Sequence, residues 1–123
     1  MPFLFEGLEV YKKAIKFVVD IYMLNGSLRD RTIKDQLCRA ALSIPLNIAE
    51  GQGRLHNKEK RQFYYTARGS LLECIPLIQI SHKLGYLDIE KYTNYYELAN
   101  EISKMLSGLI ASLKNREYQE HGT

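Results

Sequence analysis

Apolar residues recur every three or four positions along most of the chain, which is the spacing of residues on one face of an α-helix. The first stretch covers about residues 8–24, and a turn of Asn, Gly and Ser at 25–27 ends it, because Asn and Gly tolerate the left-handed backbone that terminates helices. Its predicted apolar stripe is Tyr11, Ala14, Ile15, Val18 and Tyr22. The second stretch covers about 29–50, with a stripe of Ile33, Leu37, Ala40, Ala41, Ile44 and Ile48.

Two further helices follow, at about 57–84 and 88–115, with Asn57 and Asp88 as their predicted N-caps. Gly85 is the predicted stop of the third helix, and the tail at 116–123 is expected to fray. The predicted stripe of the third helix is Phe63, Ala67, Leu71, Cys74 and Ile78. That of the fourth is Ile89, Tyr92, Tyr96, Ala99, Ile102, Leu106, Leu109, Ile110 and Leu113.

The helical pattern predicts an all-α fold, because no stretch alternates as a strand does. Short connections force neighbouring helices to run in opposite directions, so we expect an antiparallel up-down-up-down four-helix bundle in one domain, 1–123. Pro45 and Pro76 lie inside helical patterns and predict bends, or alternatively helix breaks. The Gly-Gln-Gly segment at 51–53 is interpreted as a left-handed helix stop and a turn.

The chain holds more apolar residues than the four helices require to bury their stripes against one another. Residues that lie off the stripe of the first helix, and tyrosines elsewhere, suggest a second buried face and therefore self-association. These residues are Val10, Phe17, Val19, Met23, Tyr64, Tyr65, Tyr86 and Tyr95.

The composition, with 46% hydrophobic and 25% charged residues in a chain of 123, is typical of a soluble globular protein. No run approaches the roughly 18 apolar residues of a membrane span, and the first residues lack a cleavable secretory pattern, so we expect a cytoplasmic protein without membrane contact. Cys38 and Cys74 permit one disulfide, but a reducing cytoplasm favours small buried residues.

Positive charge is concentrated in the middle third of the chain. Residues 29–68 hold nine basic residues against four acidic ones, an excess of five, whereas 69–123 hold five basic against seven acidic. Phosphates are the expected partners of such a surface, and the rings of Phe63, Tyr64 and Tyr65 suggest stacking with unpaired bases, although Phe63 is also needed in the core. The predicted nucleic-acid-binding residues are Arg31, Lys34, Arg54, Lys58, Lys60, Arg61 and Arg68.

A set of polar residues shares one face of the second helix and the facing part of the third: Arg39, Ser43, Asn47, Glu50 and Glu73. One interpretation is an acid/base site that uses the two carboxylates. The other, which we favour, is a structural polar network that fixes the register of the two helices, with Arg54 or Arg68 as the cationic partner of Glu50. We predict no catalytic residues, metal site or cofactor, because the histidines occur singly and the glycines at 51 and 53 lack the context of a nucleotide loop.

Four segments resemble the signature blocks of a known family: "DQLCRAALSIPLNIAEGQGR", "FYYTARGSLLE", "LGYL" and "ISKMLSGLIASL". They are similar to the four-helix-bundle proteins encoded in intervening sequences of bacterial 23S ribosomal RNA genes, also called the S23 family. The resemblance implies a homopentameric assembly, and a related branch serves as the accessory protein of diversity-generating retroelements, which binds a reverse transcriptase and nucleic acid. It implies no established activity.

The leading hypothesis is a non-enzymatic homo-oligomer that binds RNA or another nucleic acid through the basic residues. The alternative is a scaffold that presents apolar and tyrosine-rich surface to a partner protein such as a polymerase.

Overall fold

The computed structural model describes residues 3–24 and 27–121, with side chains described up to residue 116. Within these ranges a 3-10 turn, Leu4–Gly7, precedes four α-helices: α1 Glu9–Met23, α2 Arg31–Gln52, α3 Asn57–Lys83 and α4 Ile89–His121. The all-α prediction is therefore confirmed. Helix α4 continues through most of the segment that was expected to fray after residue 115. The predicted turn at 25–27 falls mostly outside the described residues, since 25 and 26 are not among them.

Helices α2 and α3 pack along most of their length and run in opposite directions. Midway along both helices, the Ser70 hydroxyl donates a hydrogen bond to the Ser43 hydroxyl, with 2.9 Å between the oxygens. At the end of α2, the Lys60 ammonium donates to the backbone carbonyl of Gln52 at 3.1 Å. Residue numbers rise along α2 as they fall along α3, which is the expected antiparallel pairing.

Helices α3 and α4 are paired in the same way. Arg68 hydrogen-bonds Ser107 towards one end of the pair, and His82 stacks on Tyr92 towards the other. Helix α1 packs against α2 and α4, while within the described ranges the backbones of α1 and α3 do not come within 8 Å of each other between Cα atoms. The four helices therefore form a closed ring of neighbours around one core, with α1 and α3 on opposite sides.

Two predicted helix-end signals are confirmed around the α3–α4 connection. Gly85 has a φ of +82°, and the backbone N–H of Tyr86 donates to the carbonyl of Ser81 at 2.9 Å, which is the hydrogen bond of a Schellman stop. Asp88 accepts a hydrogen bond at 2.8 Å from the backbone N–H of Lys91 and caps α4.

The α2–α3 connection differs from its prediction. Gly51 lies inside α2, and Gly53 at its end has a φ of −80°, so neither is the left-handed stop that the sequence suggested. Gly51 is required for a different reason: a Cβ there would lie 2.8 Å from Cε1 of Tyr64, which packs against this glycine. Asn57 is the first residue of α3, and His56 occupies the N-cap position, so the predicted Asn57 cap is also wrong.

The buried face of α1 differs from the predicted stripe. Val10 and Phe17, which the pattern placed off the main face, are 2% and 0% exposed, whereas Ile15 and Tyr22 are about two-fifths exposed. Helix α1 is apolar on two adjacent faces, and periodicity alone cannot show which one meets α2 and α4. The buried residues of this helix are Val10, Ala14, Phe17 and Ile21.

In α3 and α4, one buried aromatic residue lies one position away from the residue that the pattern predicts. Tyr64 is buried in place of Phe63, and Tyr95 is buried in place of Tyr96. Ile89, predicted to join the stripe of α4, is 64% exposed. In α2 the predicted stripe from Leu37 to Ile48 is confirmed, because all five of its members in that range are buried.

Both internal prolines lie within continuous helices, so neither Pro45 nor Pro76 ends its helix. Neither cysteine is in a disulfide; Cys74 is fully buried and Cys38 partly exposed, as expected for small packing residues. Burial, and secondarily the charge of Glu73, raises the pKa of Cys74 to about 12, so this thiol stays protonated at neutral pH. Among the described residues, none of the helices is long and apolar enough to cross a membrane.

The contact between Gly51 and Tyr64 predicts a large difference between two glycine substitutions. Gly51→Ala should destabilise the protein by about 1–3 kcal/mol, because the added methyl group overpacks the contact between α2 and α3. Gly69→Ala, in the interior of α3 with nothing within 4 Å of the added Cβ, should stabilise it by about 0.5–1 kcal/mol. Urea unfolding of both variants measures the two free energies, and equal effects would contradict the packing described.

Candidate nucleic-acid interface

The seven predicted nucleic-acid-binding residues do not lie together. Arg31 and Lys34 are in the first turn of α2, whereas Arg54 lies just beyond its far end. The 22 residues of α2 span about 33 Å at 1.5 Å per residue, so the two groups are at opposite ends of the bundle. The single surface expected from the sequence is therefore divided, and Arg31 and Lys34 are separate from the other five residues.

The other five residues share one end of the bundle with basic residues of α4. Arg54 lies in the α2–α3 connection, and the remaining four lie in the first three turns or so of α3. Because α4 runs antiparallel to α3, the C-terminal part of α4 lies at this end and adds Lys114 and Arg116. We call this group the basic end: Arg54, Lys58, Lys60, Arg61, Arg68, Lys114 and Arg116.

Arg54 is held by two neighbours. Its guanidinium donates to a carboxylate oxygen of Glu50 at 3.0 Å, and it lies over the ring of Phe63, with 4.7 Å between Cζ and the ring centroid. The predicted need of Glu50 for a cationic partner is therefore met by Arg54. Both side chains of this ion pair are exposed, so it contributes only a few tenths of a kcal/mol, roughly 0.3–0.5.

Lys60 has a structural contact besides its charge. Its ammonium reaches back to the carbonyl of Gln52 at 3.1 Å, where the last turn of α2 leaves carbonyl groups without helical partners. Arg61 is partly buried beside it, and Lys58 is exposed to solvent. The start of α3 is thus fastened to the end of α2, and the charge of Lys58 faces outward.

The ring of Tyr65 brings together cations from two helices. Cζ of Arg68, from α3, lies 5.2 Å from the ring centroid, and Nζ of Lys114, from α4, lies 5.5 Å from it. Arg68 Nη1 also donates to the hydroxyl of Ser107 at 3.1 Å. We call these four residues the Tyr65 cluster: Tyr65, Arg68, Ser107 and Lys114.

Sequence reasoning missed Lys114 and Ser107, because they lie about 40 residues or more beyond Arg68 in a region with an acidic balance. The antiparallel pairing of α3 and α4 was the available signal, since it places the end of one helix beside the start of the other.

The aromatic residues at positions 63–65 of α3 do not form the open stacking surface that the sequence suggested. Tyr64 is only 3% exposed, and its hydroxyl donates to the side-chain oxygen of Gln52 at 3.2 Å. Burial raises the pKa of this tyrosine above its ordinary value. Phe63 and Tyr65 are partly exposed, and each has a cation over its ring.

The predicted polar network is smaller than expected. The Asn47 amide donates to the carbonyl and the hydroxyl oxygen of Ser43 at 2.8 and 2.9 Å, and the hydroxyl of Ser70 completes the link to α3. Arg39 and Glu73 are exposed, and among the described residues neither hydrogen-bonds to this group. Within the described part of the chain, no cluster of His, Cys, Asp and Glu has the arrangement of a metal site.

Comparison with known proteins gives consistent results. The family model described as 23S rRNA-intervening sequence protein matches residues 6–108. Among solved structures, the fold is similar to that of a protein with unknown function from the S23 ribosomal protein family of Bacteroides thetaiotaomicron VPI-5482, with a TM-score of 0.79 and 23% identity over 82% of this chain and 97% of that chain. No curated protein matches the sequence. Since the family model spans most of the chain, the protein belongs to the 23S rRNA-intervening sequence protein family.

Proposed function

We propose that the protein binds RNA through the basic end and acts by binding, without catalysing a reaction. The observation that carries this proposal is the convergence of seven basic residues from the α2–α3 connection, α3 and α4 at one end of the bundle. Phosphate groups are the natural partners of such a surface, because each cation placed near a phosphate releases condensed counterions from the nucleic acid.

The chemistry of the basic end suits binding better than catalysis. Lysine and arginine side chains supply positive charge and hydrogen-bond donors, and arginine remains protonated throughout the physiological pH range. Glu50, one of the two carboxylates considered for acid/base chemistry, is exposed and paired with Arg54. The lysine and arginine side chains are therefore suited to hold an anion in place. They are not suited to exchange protons with a substrate at neutral pH.

RNA is the first nucleic acid to test because the name of the family refers to 23S rRNA. A protein with this role would function in the cytoplasm, where ribosomal RNA is made and processed in bacteria.

Charge removal at the two ends of the bundle provides a matched test of the proposal. The triple variant Arg54→Gln, Lys58→Gln, Arg116→Gln removes three exposed charges from the basic end. Its affinity for a structured RNA should fall at least about tenfold, and the slope of log affinity against log salt should decrease by about 2 to 3, since each phosphate contact contributes about 0.9. Fluorescence anisotropy at several salt concentrations measures both quantities.

The control for this experiment is the variant Arg31→Gln, Lys83→Gln, Lys91→Gln, which loses the same charge at exposed positions of the opposite end. It should keep nearly the affinity and salt dependence of the unmodified protein. Equal losses in the two variants would show that only net charge matters, and an RNA affinity that ignores salt would contradict the proposal.

We further propose that the protein assembles with copies of itself, as the family resemblance implies. Val19 and Met23 on α1 are 51% and 82% exposed, while Leu72 on α3 is 57% exposed beside a groove of about 290 Å³ that Pro76 and Tyr96 line. Since α1 and α3 lie on opposite sides of the core, these are two different apolar faces. Contact between two different faces joins subunits head to tail, and a ring such as a homopentamer forms when the rotation between successive subunits closes.

Assembly predicts that charge on the α1 face will dissociate the protein. Val19→Glu with Met23→Glu should reduce the molar mass in solution to that of a single chain while the helical circular dichroism is retained, because a buried carboxylate at an apolar interface is costly. Thr32→Glu with Gln36→Glu, at exposed polar positions of α2, should leave the molar mass unchanged. Light scattering coupled to gel filtration measures the molar mass of each variant.

An unmodified protein that is already a single chain would contradict assembly. Its apolar faces would then be available to another protein, as the scaffold alternative requires.

A further inference from the structure

We infer that the basic end recognises the phosphate backbone of base-paired RNA in preference to unpaired bases, and that the Tyr65 cluster holds one backbone phosphate. This inference rests on the proposed RNA binding and specifies which form of RNA the surface accepts.

The Tyr65 cluster places two positive charges beside one ring. Arg68 and Lys114 come from different helices, and their charged groups lie 5.2 and 5.5 Å from the centroid of Tyr65. Among the described side chains, no carboxylate lies within 4.0 Å of either cation. Two like charges beside the same ring repel each other, and an anion bound between them would offset this repulsion. The cluster therefore has the electrostatic character of an anion site.

The geometry of Arg68 favours a phosphate group in particular. A guanidinium has five N–H donors in a rigid plane, and one of its terminal nitrogens, Nη1, is oriented by the hydroxyl of Ser107 at 3.1 Å. Donors that remain can bind two oxygens of a phosphodiester at once, which is the arrangement that arginine adopts with phosphates. Lys114 then supplies a second positive charge from α4.

The aromatic rings beside this cluster are not open to nucleobases. A base that stacks on Tyr65 competes with the cations of Arg68 and Lys114 for the ring, and a base that stacks on Phe63 competes with the guanidinium of Arg54 at 4.7 Å. Tyr64 is buried against Gly51 and presents no face. Proteins that bind single strands without sequence preference depend on exposed aromatic rings on which successive bases stack. The rings of α3 serve here to position cations instead.

Base-paired RNA suits such a surface. Its bases are stacked inside the helix, and proteins recognise it mainly through its shape, its phosphates and its 2′-hydroxyl groups. Cations fixed on two rigid helices match a backbone whose phosphates are themselves fixed by the double helix. A flexible single strand loses conformational freedom on binding to fixed cations and gains no base stacking in return.

The experiment compares two RNAs with the full-length protein: an unstructured single strand of about 20 nucleotides, and the duplex that it forms with its complement. The inference predicts that the duplex binds at least about fivefold more tightly at the same salt concentration. Lys114→Gln should weaken duplex binding about threefold to tenfold and reduce the salt slope by about one phosphate contact. Lys114→Arg should restore both, and Lys91→Gln, at the opposite end of the bundle, should change neither.

The possible outcomes separate this inference from the proposed function. Failure of both RNAs to bind at low salt would overturn the proposed function and the inference together. Tighter binding of the single strand would leave RNA binding intact and overturn the preference for paired RNA. Duplex preference that Lys114→Gln and Arg68→Gln leave unchanged, in variants whose circular dichroism shows an intact fold, would overturn the assignment of a phosphate to the Tyr65 cluster.

Discussion

The close contact between α2 and α3 is the constraint on which the rest of the structure depends. Gly51 has no side chain and leaves room for the ring of Tyr64, and the hydroxyl of Ser43 accepts a hydrogen bond from that of Ser70. Both contacts fix the same antiparallel register. Register determines which residues of α3 face the core, so the buried position of Tyr64 and the outward positions of its neighbours follow from this contact.

Charge at the basic end is a consequence of this arrangement. Once α3 is fixed on α2, the antiparallel return of α4 brings Lys114 to the ring of Tyr65, which Arg68 already approaches. Concentrated like charge lowers the stability of a folded protein. Ion pairing of Arg54 with Glu50 and the hydrogen bond of Lys60 to the end of α2 offset part of this cost. Lys58, Lys114 and Arg116 are exposed to solvent, and their charge connects the packing of the bundle to its proposed function.

Much of the fold could be predicted from the sequence, because helical periodicity, Asp88 and Gly85 act locally. Errors occurred where two adjacent faces were both apolar, as for Val10 and Phe17 in α1, since the choice between them depends on contacts with other helices. The sequence pattern favours a left-handed turn at Gly51, because a glycine without a side chain is typical of such turns. It does not show that the ring of Tyr64 occupies the space where a side chain would lie. Glycine at this position reflects tertiary packing.

The candidate interface was less predictable than the fold. A count of charges along the chain identified the segment around Lys58 but joined it to Arg31 and Lys34, which α2 carries to the other end. The same count left out Lys114, since its part of the chain is acidic on balance. Proximity in three dimensions decides which charges act together. The pairing of α3 with α4 brings Lys114 close to the basic residues of α3.

Photo-crosslinking tests the central claim, that one end of the bundle contacts RNA, most directly. A duplex RNA that carries 4-thiouridine is bound to the protein at low salt and irradiated, and the crosslinked peptides are identified by mass spectrometry. The proposal predicts crosslinks within residues 54–68, from the α2–α3 connection and α3, and within residues 107–116 of α4, at the same end of the bundle. Crosslinks concentrated around Arg31 and Lys34, or distributed evenly over both ends, would contradict it.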